Sequence, residues 1–272
     1  MTKDNKGFSL VELLVALAVS SIVLTALGYM IITGLKLYGR NNAHVEVQSE
    51  AQTAMNLILD NIMEARGICI VNPATGDNTD CILLGDIIVE DNMGNYDVYF
   101  AGNAIIADLD SLGDNGQPIK EMYLVSFPNT DYSDSTEHSG YAKLVSGFSP
   151  GEGKMGEAVN QARIEVRDYV KNTDIKSRTK WLLAHYITGC RIEADGIDRN
   201  YYEETVYYEN GGTEVNYYYK EPVKIDVKIS LEYDYGSGKI TKALSDSAVI
   251  RNRMDNVYVG QNGSANEYKR KK

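Results

Sequence analysis

The chain has 272 residues, 43% of them hydrophobic and 24% charged, with a formal net charge of -11 at pH 7 and a mean hydropathy of -0.30. That is enough apolar material for a sizeable core. Beyond Arg66, 22 Lys or Arg stand against 32 Asp or Glu, an acidic balance that disfavours binding of DNA or anionic lipid by the bulk of the chain.

Residues 8–32 contain apolar or small residues, a few hydroxyls and one carboxylate, Glu12. As a helix these 25 residues span about 37 Å, enough to cross a hydrocarbon core of about 30 Å. A carboxylate at membrane depth is costly and marks a function or a partner. The next basic residue towards the C-terminus is Lys36, so the expectation is that the partner of Glu12 lies outside this helix.

Lys6-Gly7-Phe8-Ser9-Leu10-Val11-Glu12-Leu13-Leu14 resembles the class III signal of type IV prepilins and type II secretion pseudopilins. The resemblance implies cleavage after Gly7 and N-methylation of Phe8 by a prepilin peptidase. It also implies an assembly role for Glu12, whose carboxylate would meet the N-terminal amine of a neighbouring subunit. The partners it implies are the peptidase, other pilin subunits, an inner-membrane assembly platform and, before assembly, membrane lipid. The leader would be cytoplasmic and the head outside, first on a single-pass anchor and then in an extracytoplasmic filament. An ordinary signal anchor or a cleaved secretory signal would not call for Gly7 directly before Phe8, and the apolar run is too long for the latter.

The expected boundaries are a leader at 1–7, a transmembrane or filament-core helix at 8–35, and its amphipathic continuation at 36–66. A β-rich head at 67–260 and a polar basic tail at 261–272 follow. Val47, Ala51, Ala54, Ile58, Ile62 and Ala65 recur at steps of three or four and form one stripe, with Gly67 as a stop. No proline interrupts the helix, and Gly28 and Gly34 are its soft points. The tail, with Lys269-Arg270-Lys271-Lys272, reads as a solubilising end.

After Gly67 the period changes. Val223, Ile225, Val227, Ile229, Leu231, Tyr233 and Tyr235 alternate with polar residues, as a strand with one wet face does. Gly236-Ser237-Gly238 turns the chain towards a returning strand at 239–251. Asn210-Gly211-Gly212 between 205–208 and 213–219 is a hairpin signal. Weaker strands are predicted at 82–90, 96–101, 122–127 and 181–187, while 161–170 fits either helix or strand. Residues 128–139 and 146–156 read as surface loops. The fold class expected is α+β, a long N-terminal helix packed on a mainly antiparallel sheet.

Chemical motifs are weak. Gly147-Phe148-Ser149-Pro150-Gly151 has the nucleophile-elbow spacing, but Pro150 lacks the N–H needed for an oxyanion hole. Gly151-Glu152-Gly153-Lys154-Met155-Gly156 places Glu152 where a pyrophosphate would sit. His44, His138 and His185 are not at ligand spacing. Asp108, Asp110 and Asp114 resemble part of a calcium loop, but the fifth and twelfth positions are Leu112 and Ile119. No cofactor or enzymatic activity is expected. Cys69 and Cys81 bracket a short loop and are the best pair for a disulfide if the head is exported, with Cys190 a buried thiol. Three free thiols are the alternative.

The large head and Val249-Ile250-Arg251-Asn252-Arg253 resemble the J-type pseudopilins and their pilus equivalents, which implies a minor pilin. Glu12 argues against the tip type that commonly lacks it. Competence pseudopilins for DNA uptake share the same signature, and a membrane-anchored exported enzyme or binding protein is the rival from another class.

Overall fold

The computed structural model describes residues 9–72, 78–108, 120–129, 135–150, 155–172, 180–195, 197, 201–208, 211–220, 223–236, 238–252, 254, 256–261 and 264–270. Two compact units are present. The first holds the chain to Glu46 with Asp234–Ile240, and the second holds Val47–Tyr233 and Thr241–Lys272.

Helix α1 runs over Leu10–Glu64 without a break at Gly28 or Gly34. Its second part buries the stripe read from the sequence: Val47, Ala51, Ala54, Ile58 and Ile62 are fully buried and Ala65 nearly so. Its C-terminal carbonyls would otherwise be orphaned. Arg251 N–H donates to Met63 O at 3.2 Å, and Asn252 Nδ2 donates to Glu64 O. Part of the segment singled out at 249–253 therefore caps this helix.

The strands are β1 (Ile68–Asn72), β2 (Cys81–Asn92), β3 (Asn95–Asp108), β4 (Glu121–Phe127), β5 (Ala142–Phe148), β6 (Lys180–Ala184) and β7 (Ile187–Asp195). They continue with β8 (Tyr201–Tyr207), β9 (Thr213–Tyr219), β10 (Lys224–Asp234), β11 (Lys239–Val249), β12 (Asn256–Gln261) and β13 (Ser264–Lys269), and helix α2 (Met155–Asn172) lies between β5 and β6. Ten strands form one sheet in the order β6-β4-β3-β2-β1-β12-β13-β9-β8, with β5 also on β3, and β11-β10-β7 form a second. Pairing is mostly antiparallel, apart from the parallel pairs β1–β12 and β13–β9.

The large sheet has an apolar core on each face. Ile68, Ile70, Ile82, Leu84, Ile105 and Val257 share one with the α1 stripe and with Ile225, Val227, Ile229 and Leu231 of β10. Cys69, Val71, Cys81, Leu83, Ile106 and Tyr258 share the other with α2. The ambiguous stretch 161–170 is thus helical: Ala158, Val159, Ala162, Val166 and Val170 are buried at steps of one, three and four, which only a helix puts on one face. At its first turn, Gly156 passes so close to β13 that a Cβ would lie 2.0 Å from Ala265 O.

Four sequence expectations are corrected. The strand read at 181–187 is the end of one strand and the start of another, with Tyr186 at φ 59° between β6 and β7. The loop read at 146–156 begins inside β5 and ends inside α2, with 151–154 outside the described residues. Part of the tail read at 261–272 is β13, which pairs with β12 and buries Ala265 and Tyr268. The strand 96–101 extends to Asp108 as β3.

Candidate functional site

At the N-terminus, Gly7 and Phe8 lie outside the described residues. Ser9 starts the helix: its Oγ accepts the Glu12 N–H at 3.2 Å, and Glu12 Oε2 accepts the Ser9 N–H at 3.0 Å. This reciprocal pair is a capping box. The sequence places no cation near Glu12 within this helix, and the local partner that the carboxylate does have is a backbone N–H. The signal was in the sequence as Ser9-x-x-Glu12. A carboxylate in the first turn is also favoured by the helix dipole.

Past Glu12 the first unit presents an apolar surface. Leu10, Leu13, Leu17, Ile22, Leu24, Ile31 and Leu35 are among the large side chains left more than half exposed. Each gains about 1.5–3 kcal/mol on leaving water, so this surface demands lipid or a protein neighbour. The helix is long and apolar enough to cross a membrane. Its hydroxyls do not oppose that: Ser21 Oγ donates to Ala18 O at 2.8 Å and Thr25 Oγ1 to Ser21 O at 2.7 Å, which satisfies both donors within the helix.

In the head, three polar groupings bear on the remaining candidates. Asp80 accepts from Arg163 Nη1 at 2.5 Å and from Arg167 Nη1 at 2.8 Å, tying α2 to the strand connection ahead of β2. Burial alone would raise the Asp80 carboxyl, but the two guanidiniums outweigh it and hold the group below its ordinary value.

A second grouping joins Glu90, Asp97 and Glu137, whose carboxylate oxygens approach within 4.8 Å of one another. Such a set could hold a cation, and Lys143 Nζ supplies one at 3.0 Å from Asp97 and 3.1 Å from Glu137. The Gly147 N–H and Lys143 hold the Asp97 carboxyl down, and hydrogen bonding to Asp97 pushes Lys143 up. His138 sits 2.9 Å from Glu90, and His185 3.2 Å from Glu121. Of the calcium candidates, Asp108 ends β3 with Lys171 at 4.0 Å, while Asp110 and Asp114 lie outside the described residues.

The third grouping is the thiols. Cys69 lies opposite Leu83 in the β1–β2 register, so Cys81 is its diagonal neighbour. Diagonal positions stand about 7–8 Å apart, beyond disulfide reach without backbone movement. The expected Cys69–Cys81 bond is not made, and all three cysteines are free and buried. Burial pushes the Cys69 and Cys190 thiols up to about 12 and Cys81 higher still, so all three are protonated and unreactive at neutral pH.

The capped, membrane-length helix and the α+β fold are those of a chain compatible with a single-pass anchor at its N-terminus. Residues 2–28 match the family model described as the prokaryotic N-terminal methylation motif. The chain thus carries a type IV pilin-like signal of the kind prepilin peptidase processes. No curated protein and no solved structure matches the chain significantly.

Proposed function

We propose that the chain is a structural subunit, a minor pilin or pseudopilin, that is cut after Gly7, methylated on Phe8 and assembled into a type IV pilus or a type II secretion-like filament. The observation that carries this reading is the N-terminal methylation motif at 2–28 on a helix whose apolar surface is exposed. The chain inserts in the membrane with its leader in the cytoplasm and its head outside. After cleavage, the Phe8 amine of one subunit meets Glu12 of the next, and the apolar surface exchanges lipid for neighbouring helices.

The capping box bears on the order of events. The Ser9 N–H belongs to the Phe8–Ser9 peptide, which survives cleavage after Gly7, so the carboxylate keeps a donor while its subunit is still alone in the membrane. Assembly then adds a charge-assisted partner, about twice as strong as a neutral one. The role is structural and not catalytic.

The test is incorporation of Glu12 variants into filaments in cells with an intact assembly system. Glu12→Leu is expected to insert and be cleaved but to be lost from the filament fraction. Glu12→Gln, which still caps the helix, is expected to insert normally and assemble poorly. Unchanged incorporation of both would remove the charge-pairing role, whereas an intact leader in cells with the peptidase would favour an anchored exported enzyme or binding protein.

A further inference from the structure

Among the described residues, the β8–β9 hairpin joins the rest of the large sheet through β13. The junction is short: Tyr268 lies opposite Tyr217 and Lys269 opposite Tyr218, in parallel register. Residues two apart on a strand share a face, so Lys269 and Glu267 of β13 stand on one face with Asn216 and Tyr218 of β9. Tyr258 of β12 lies opposite Glu267 and joins that face. Glu204 and Tyr202 of β8 lie opposite Asn216 and Tyr218 and flank it on the other side.

An amine, a carboxamide and a carboxyl group converge there. Lys269 Nζ donates to Asn216 Oδ1 at 3.1 Å, and the carboxamide carbon, Cγ, lies one C=O bond of about 1.23 Å beyond that oxygen. Glu267 Oε2 is 3.6 Å from the same Nζ, on a side chain only 14% exposed. The other carboxyl oxygen, Oε1, accepts from Tyr258 Oη at 3.5 Å, and Asn256 Nδ2 donates to that Oη at 3.2 Å.

Two features set this grouping apart from a plain ion pair. The amine stands closer to the neutral carboxamide than to the carboxylate, the reverse of what charge attraction alone favours. Burial also outweighs the Lys269 charge and holds the Glu267 carboxyl above its ordinary value. Such a group can take a proton from an ammonium and pass it to a carbonyl oxygen.

We propose that Lys269 and Asn216 form an intramolecular isopeptide bond, with Glu267 as the proton carrier. Glu267 takes a proton from the Lys269 ammonium and leaves a neutral amine beside Cγ. Nζ attacks Cγ while the carboxyl proton passes to Oδ1. Glu267 next moves a proton from the now cationic Nζ to Nδ2. The Cγ–Nδ2 bond breaks as Oδ1 returns its proton to Glu267 and the carbonyl reforms. Nδ2 leaves as ammonia, which takes the last proton from Glu267. One C–N bond forms and one breaks, an ammonium ion is released, the carboxylate is regenerated, and nothing is oxidised or reduced. The bond fastens the β8–β9 hairpin to the sheet where main-chain pairing is short. It depends on the head alone and stands apart from the filament reading.

Mass spectrometry of the full chain, purified in non-ionic detergent, tests it. The intact mass should fall short of the sequence mass, after allowance for the N-terminus, by one ammonia. A proteolytic digest should yield a branched peptide joining the Asn216 and Lys269 segments. Lys269→Arg and Glu267→Gln should each keep the full mass, with the far-ultraviolet circular dichroism spectrum unchanged. A wild-type chain at full mass overturns the bond whatever the variants do. An ammonia loss that maps to Asn210 or Asn262, each followed by glycine, is succinimide formation and overturns it as well. A branched peptide formed undiminished by Glu267→Gln overturns the part given to that carboxyl.

Discussion

Asp80 offers the sharpest stability test, because it joins two elements through charges that have little access to water. The Arg163 side chain is 6% exposed and that of Asp80 22%. Replacing Asp80 by asparagine leaves the Arg163 guanidinium without its counter-charge, and removing one member of such a buried pair costs about 3–5 kcal/mol. Asp80 keeps some solvent, so the lower end, about 3 kcal/mol, is expected. That is a large share of a typical total of about 5–15 kcal/mol.

Urea unfolding of the full chain in non-ionic detergent, followed by near-ultraviolet circular dichroism, reads this cost. The double variant Asp80→Asn with Arg163→Met removes both charges and should recover about 2 kcal/mol of it, whereas independent effects would add. Arg167 keeps Asp168 at 2.7 Å in both variants. The pH dependence follows from the depressed Asp80 carboxyl. Its contribution is complete above the unfolded value of about 3.9 and is lost as pH falls through the lower folded value. The deficit of Asp80→Asn should therefore be constant near neutrality and shrink in acid. A deficit below about 0.5 kcal/mol, or one independent of acid, would refute this account of the pair.

Three further outcomes follow from the packing. Ile58→Ala, at a fully buried position of the α1 stripe, should cost about 2–5 kcal/mol in the same unfolding assay, while Ile22→Ala, at a position 69% exposed, should leave unfolding of the head unchanged. Gly156→Ala forces a Cβ against Ala265 O and should cost about 3 kcal/mol, the upper end for overpacking, with the loss visible as earlier urea unfolding. The three thiols should resist iodoacetamide at pH 8 in the folded chain and react when it is denatured, read by intact mass, since burial holds them protonated.

The sequence was legible wherever one face of an element is wet. The α1 stripe, the β10 alternation and the hairpin at Gly211, where φ is 81°, could each be read from local pattern. β1 could not, because Ile68 and Ile70 face one core while Cys69 and Val71 face the other, and a strand buried on both faces has no alternation to show. β12 and β13 are six residues each and owe their place to partners far along the chain. β12 lies parallel to β1, and β13 lies parallel to β9. The mixed Gln161-Ala162-Arg163-Ile164-Glu165-Val166 run took its helical form from packing on the sheet. At the candidate site, Glu12 stands out in the sequence by its charge, while its local donor is a backbone N–H, legible only through the Ser9-x-x-Glu12 spacing.

The central claim is that this N-terminus is a processed pilin-like signal, and the mass of the native N-terminus tests it most directly. Purified from cells that contain prepilin peptidase, the chain should begin at Phe8 and carry one added methyl group. A chain beginning at Met1, or one cut elsewhere with no methyl group on its first residue, would contradict it.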